Sequence, residues 1–327
     1  VLFHLLYAFH DKFSVLNVTR YITFRTAVAS LTAFLLVLIL GPWVIARLRS
    51  SQIGQHIRED GPEAHRSKAG TPTMGGILVL AGILIPTLLW GDLRNHKVWL
   101  LLFATSAFGA IGFADDYLKI VKRRNLGLTV RRKLLAQVVI ALVLGVLIFM
   151  LAGQDPARYS THVIFPFFKN FVPDLGPLYV VFAVLVVVGA SNAVNFTDGL
   201  DGLAIGSTLI AAVAFTGLAY LSGHAVFSKY LDLLFIPGSG EVTVFCGAMV
   251  GSAMGFLWWN CYPAQVFMGD VGSLSLGGAL GTVALLIKHE LLLISVGGLF
   301  MLEALSVILQ VASFKLTGKR IFRMAPL

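Results

Sequence analysis

Residues 134–152, LLAQVVIALVLGVLIFMLA, run for nineteen positions without a charge, and Arg131-Arg132-Lys133 stand immediately before them. An α-helix rises about 1.5 Å per residue, so this run can cross the roughly 30 Å hydrocarbon core of a bilayer. Working outward, eight more mostly apolar runs lie near residues 22–46, 73–90, 97–114, 176–194, 200–221, 242–259, 272–287 and 291–312. The reading is an all-α, polytopic transmembrane helical bundle of nine spans, with residues 1–327 forming a single integral-membrane domain. The connections between the runs are too short for a soluble domain, and no linker, low-complexity tract or internal repeat is evident.

The composition agrees. Of 327 residues, 57% are hydrophobic and 13% charged, and the mean hydropathy of +0.85 lies outside the balance of a soluble domain. The net charge of +9 has a membrane explanation, because lysine and arginine gather in cytoplasmic loops facing anionic headgroups. No nucleic-acid partner is expected. Cys246 and Cys261 have neither ligand spacing nor a disulfide pattern, and two free thiols are expected. The N-terminal residues lack a signal-peptide pattern, so the first span is expected to serve as the insertion signal.

Orientation follows from the basic residues. If the 48–72 loop is cytoplasmic, the loops on its side and the C-terminal tail hold 16 of the 25 lysines and arginines. This puts the N-terminus outside and the C-terminus inside. The same topology sorts the acids: Asp115 and Asp116 end the third span, Asp198 and Asp201 lie between the fifth and sixth, and Asp270 precedes the eighth. All five then fall on the cytoplasmic face, where ionisable groups near membrane depth mark a functional cavity.

Three segments carry the chemistry. In Gly112-Phe113-Ala114-Asp115-Asp116-Tyr117-Leu118-Lys119 two adjacent carboxylates repel, and a divalent cation beside them relieves the repulsion. Magnesium suits such a place, since it takes hard oxygen ligands from one or two carboxylates and from substrate phosphates. Lys119 lies one helical turn beyond Asp115 and can face the same site. In Asn192-Ala193-Val194-Asn195-Phe196-Thr197-Asp198-Gly199-Leu200-Asp201-Gly202-Leu203, polar groups recur every three residues, which drifts around a continuous helix. Gly199 and Gly202 instead suggest that one helix ends and another begins here. In Phe267-Met268-Gly269-Asp270-Val271-Gly272-Ser273 a carboxylate sits between glycines at the start of a span, where a helix N-terminus favours phosphate. Lys68 to Gly76 repeats that design before the second span, with Lys68 available for phosphate. No GxxxxGK[ST] loop is present, and His289-Glu290 lacks the second histidine of a zinc-protease motif.

On these segments, GTPTMGG at 70–76, FADDYLK at 113–119, NAVNFTDGLDGLA at 192–204 and NCYPAQVFMGDVGSL at 260–274, the chain resembles the bacterial phospho-N-acetylmuramoyl-pentapeptide transferases. The resemblance runs from near Tyr21 to Leu327. The family pattern continues with a histidine run and a tenth membrane helix, neither of which lies within these residues. The resemblance implies transfer of phospho-MurNAc-pentapeptide from UDP-MurNAc-pentapeptide to undecaprenyl phosphate, giving lipid I and UMP, with Mg2+ required. It implies an enzyme of the bacterial inner (cytoplasmic) membrane, surrounded by membrane lipid, with its active site facing the cytoplasm. By the same match Asp115, Asp116 and Asp270 are catalytic, and Asp270 and Asp116 hold the metal. Lys68, Thr73, Lys119, Asn192, Asn195, Asp198, Gly199, Leu200, Asp201, Asn260 and Phe267 then surround the metal and the uridine diphosphate. Asp115 accepts a proton from the attacking lipid phosphate, orients it, or forms a covalent intermediate; the residues leave these alternatives open. A homodimer is compatible with the pattern and not required by it.

Two rivals share features of this reading. A transferase moving GlcNAc-1-phosphate to a polyprenyl phosphate would use the same aspartates, although GTPTMGG and the MAPL tail at 324–327 favour the muramoyl enzymes. A cation-coupled transporter could also bury acids at broken helices, with Glu303 as its best support, but its sites usually lie near the bilayer midplane. The expected role of Glu303 is bonding within the bundle.

Overall fold

The structure, a computed structural model, describes residues 1–50, 71–121, 127–166, 168 and 171–326. The described residues form α1 (Leu2–Ala8), a 3-10 turn (Ser14–Arg20), α2 (Ile22–Ser50), α3 (Gly76–Trp90), α4 (His96–Val121) and α5 (Val130–Gln154). There follow α6 (Leu178–Thr197), α7 (Leu203–Gly223), α8 (Ala225–Tyr230), α9 (Gly240–Asn260), α10 (Gly269–Leu286), α11 (Leu292–Val296) and α12 (Gly298–Thr317). Outside the helices, an isolated β-bridge pairs His162 with Asp174.

Eight of the helices are long and apolar enough to cross a membrane: α2, α4, α5, α6, α7, α9, α10 and α12. The second expected span, near residues 73–90, appears as α3, which has 15 residues. At about 1.5 Å per residue this is shorter than the hydrocarbon core. Its expected first turn is instead irregular, with Met74 at a φ of +71°: Phe267 N–H donates to Pro72 O, and Gly75 N–H and Gly76 N–H donate to Phe267 O and Met268 O, each at 2.8 Å. A backbone pairing thus replaces helix where α3 meets α10. The last expected span is interrupted at Gly297, so that a short α11 precedes α12.

The bundle is built around α9 and α10. From Val271 to Leu286 every residue of α10 is buried, with α4, α6 and α3 packed against it. A helix enclosed on all sides must keep its neighbours close, and small residues permit this. A Cβ at Gly112 of α4 would fall on the carbonyl oxygen of Asp270, so glycine alone lets α4 touch the first turn of α10. Helix α9 fills the same role between α2, α7 and α3. By contrast α5 and α12 leave most of their surface outward, as lipid-facing helices do.

Alternation of direction places the C-terminal ends of α4, α6 and α9 with the N-terminal ends of α5, α7 and α10. At the opposite end a bidentate pair, Arg25 to Glu241 at 2.6 and 2.7 Å, links α2 to α9. Lys288 is buried there between Glu290 Oε1 and Tyr179 Oη, at 2.7 and 2.8 Å. Glu303 is buried in the first third of α12, away from the aspartates. Cys246 and Cys261 are free thiols.

Candidate active site

Apolar helices turn polar where they reach the aspartate-bearing end. The last two turns of α4 place Asp115, Asp116 and Lys119 on adjoining faces, because residues three and four apart lie one turn on. Lys119 Nζ lies 2.6 Å from Asp115 Oδ2 and 3.2 Å from Asp116 Oδ1. It also lies 2.9 Å from Asp270 Oδ2, which the first turn of α10 supplies. The three aspartates can each offer an oxygen such that all three lie within 4.8 Å of one another. Asp115 and Asp116 are each only 3% exposed.

Each carboxylate is held by further donors. Asp115 Oδ1 accepts the N–H of Leu128 at 2.7 Å, just before α5 begins. Asp116 Oδ2 accepts the N–H of Val271 at 3.2 Å, one of the unpaired amides of the α10 N-terminus. Asp270 Oδ1 accepts from Asn195 Nδ2 at 2.7 Å, and the same amide donates to Ser273 Oγ at 2.7 Å. Asp270 Oδ2 accepts from Lys133 Nζ at 2.9 Å as well as from Lys119. Gly269 has a φ of +72°, and a Cβ there would stand 2.6 Å from Asp116 Oδ2. The sharp turn before Asp270 therefore calls for glycine on both steric counts.

The turn between α6 and α7 brings in the rest. Helix α6 ends at Thr197 and α7 begins at Leu203, with Gly202 at a φ of +77°. Asp198 takes the backbone N–H of Gly269. Burial first, then the negative charges of Asp270 and Asp116, push its carboxyl up to about 7. Asp201 Oδ2 accepts the N–H of Ala264 at 3.2 Å, and Asn260 Oδ1 accepts the N–H of Gly202 at 3.2 Å. These two bonds tie the turn to the end of α9 and to the loop that follows it.

The geometry therefore gathers Asp115, Asp116, Asp270, Lys119, Asn195 and Asp198 directly. Asn260 and Asp201 brace the turn, and Phe267 lies on the strand-like pairing with Pro72. Thr73 Oγ1 would stand 2.9 Å from a Cβ on Gly269, which puts it at the rim. Gly199 and Leu200 are exposed, and Leu200 is 53% accessible. Asn192 is bonded to Gln137 and to Val188 O, one turn away from Asn195. Lys68 lies outside the described residues.

Lys133 is the residue that sequence reasoning missed as part of the site. In the sequence it is the last of three basic residues before an apolar run, which reads as a topology anchor. Arg131 and Arg132 are exposed as anchors are, whereas Lys133 is turned inward onto Asp270.

Counted together, Asp115, Asp116, Asp270 and Asp198 offer four carboxylates against the two ammonium groups of Lys119 and Lys133. Such an excess of hard oxygen donors fits a divalent cation of the magnesium type. Asp270 and Asp116 present their oxygens from two different helices, as a metal site between helices needs.

The family model described as glycosyl transferase family 4 matches residues 98–288, and a phospho-N-acetylmuramoyl-pentapeptide-transferase signature matches residues 68–80. The chain is 57% identical to the phospho-N-acetylmuramoyl-pentapeptide-transferase of Koribacter versatilis, over 97% of this chain and 87% of that protein. It is 58% identical to the protein of that name from Desulfosudis oleivorans, over 100% of this chain and 90% of the relative. With the namesake from Thermodesulfovibrio yellowstonii it shares 55% identity, again over 100% and 90%. Identity of this extent, over a chain whose aspartates meet at one end of a helical bundle, places the protein in the phospho-N-acetylmuramoyl-pentapeptide-transferase family.

Proposed function

We propose that the protein transfers phospho-MurNAc-pentapeptide from UDP-MurNAc-pentapeptide to undecaprenyl phosphate, yielding lipid I and UMP, at the cytoplasmic face of a bacterial inner membrane. The observation that carries the proposal is the carboxylate triad within 4.8 Å at a helix N-terminus, in a chain with this family's identity. The bond that forms joins an acceptor phosphate oxygen to the sugar-bearing phosphorus, and the bond that breaks joins that phosphorus to the oxygen leaving with UMP. Phosphoryl transfer of this kind needs in-line positioning and charge neutralisation more than covalent help.

Asp270 and Asp116 would hold the magnesium ion, which when bound supplies charge neutralisation for the diphosphate. The remaining groups act on their own account. Lys119 and Lys133 hold Asp270 in place and supply positive charge beside the incoming phosphates. Asn195 fixes the other oxygen of Asp270, so the carboxylate cannot rotate. At the start of α10 the amides of Gly269 and Val271 serve Asp198 and Asp116, so this helix terminus fixes the carboxylates around the site. Both oxygens of Asp115 already accept charge-assisted or backbone hydrogen bonds, from Lys119 and from Leu128. A carboxylate so engaged is a weaker nucleophile, and it suits orienting the acceptor phosphate better than attacking phosphorus itself.

The substrate assignment is tested by offering the purified protein UDP-MurNAc-pentapeptide and UDP-GlcNAc in parallel, each with undecaprenyl phosphate and magnesium. The muramoyl compound alone should give a lipid product. A lipid product from UDP-GlcNAc and none from UDP-MurNAc-pentapeptide would overturn the assignment.

A further inference from the structure

The geometry points to Gln137 as a positioning residue: its amide pair with Asn192 sets the axial register of α5 on α6 and so holds Lys133 and Asn195 on Asp270. Gln137 is the only polar side chain between Leu134 and Ala152, and it is fully buried. Its Oε1 accepts from Asn192 Nδ2 at 2.8 Å, and its Nε2 lies 3.5 Å from Asn192 Oδ1. The second donor hydrogen of Asn192 goes to Val188 O at 2.8 Å. Both donors of the Asn192 amide are thus used inside the protein, which leaves it no N–H for a substrate.

The two helices run antiparallel, so neighbouring positions pair in sequence along them. Lys133 precedes Gln137 by four residues and Asn195 follows Asn192 by three, one turn in each case. Lys133 Nζ meets Asn195 Oδ1 at 3.5 Å, on the rung beside the amide pair. Farther along, a Cβ at Gly145 would stand 3.3 Å from that of Ala183. Helix α5 packs on α6 and α4 and otherwise faces outward. Apolar surface in lipid gives little resistance to sliding, since lipid chains and leucine side chains are alike to it, whereas one matched polar pair defines a register. A slip of one turn would move Lys133 by about 5.4 Å, out of hydrogen-bond reach of Asp270.

The kinetic part of this inference rests on the proposed transfer reaction, and the register part does not. The experiment compares Gln137→Leu, the double variant Gln137→Leu with Asn192→Leu, and the exchanged pair Gln137→Asn with Asn192→Gln. Gln137→Leu should lower kcat at least about tenfold with KM for both substrates within about threefold, as loss of positioning does. The double variant leaves no orphaned amide, so its Tm should recover while its kcat stays low. The exchanged pair should restore kcat to within about threefold. Wild-type kcat in Gln137→Leu, or full recovery in the double variant, would overturn the inference. A second readout needs no substrate: Lys133→Met should shift Tm in the wild-type background and by less than half as much in Gln137→Leu. Equal shifts in the two backgrounds would also overturn it. Failure of the wild-type protein to make lipid I, with the Tm coupling intact, would count against the proposed reaction alone.

Discussion

Lys133 and Asp270 stand 137 positions apart in the chain and meet at 2.9 Å. Asp270 Oδ2 also receives Lys119 at 2.9 Å, so one carboxylate oxygen joins α4, α5 and α10. Removing either lysine leaves the site short of positive charge where phosphates arrive. We expect Lys133→Met to lower kcat by at least about a hundredfold, the scale of losing one preorganised charge-bearing donor. Lys133→Arg should not rescue it, because a planar guanidinium cannot take the place of a compact ammonium between Asp270 and Asn195. Steady-state kinetics of the purified variants check this, and activity of Lys133→Arg near that of the wild type would contradict it.

Close approach at the α4–α10 contact gives a second prediction. Gly269→Ala must place a Cβ at a positive φ, at a cost of roughly 1–2 kcal/mol, and against Asp116. The variant should have a lower Tm and should lose transfer more than folding, since the clash falls on Asp116, a carboxylate proposed to hold the metal. Gly206→Ala, in α7 with nothing within 4 Å of its Cβ position, is the matched control and should lower neither Tm nor activity. Differential scanning fluorimetry in detergent, run alongside the transfer assay, reads both.

The Asp198 carboxyl provides a pH test in metal-free buffer. Its folded value of about 7 lies above the ordinary aspartate value of about 4, so between these limits the native chain keeps a proton that the unfolded chain has lost. The stabilising contribution is complete below about pH 4 and disappears as the pH rises through about 7. In EDTA, therefore, the Tm of the wild-type protein should fall relative to Asp198→Asn between pH 5 and pH 8. A difference that stays constant across that range would contradict the assigned environment.

Most of the architecture was legible because lipid imposes a length: eight apolar runs appear as spanning helices, and the turn at Gly199 to Gly202 lies where the glycines placed it. The short α3 was less legible, since the apolar run read as a span from residue 73 whereas the helix begins only at Gly76. Its pairing with Phe267 and Met268 is a contact between distant segments. The break at Gly297 was missed for a related reason, as one glycine in an apolar run does not by itself end a helix. Within the site, acids flanked by glycine at the ends of apolar runs stood out. Lys133 and Gln137 did not, because a basic residue before a span and one amide inside it both have ordinary readings. Only the antiparallel register of α5 on α6 gives them a role.

The central claim is that the carboxylate cluster performs magnesium-dependent transfer to a lipid phosphate, and one measurement addresses it most directly. Radiolabelled UDP-MurNAc-pentapeptide is incubated with detergent-solubilised protein and undecaprenyl phosphate across a magnesium titration, and label in the lipid fraction is counted. The wild-type protein and Asp92→Asn, whose side chain lies at the opposite end beside His4, should form lipid I only when both magnesium and the acceptor are present. Asp270→Asn keeps the shape and loses the charge, so its turnover should fall by orders of magnitude, roughly a hundredfold or more, at every magnesium concentration. Near-normal turnover of Asp270→Asn at low magnesium, or label entering lipid without magnesium, would contradict the account.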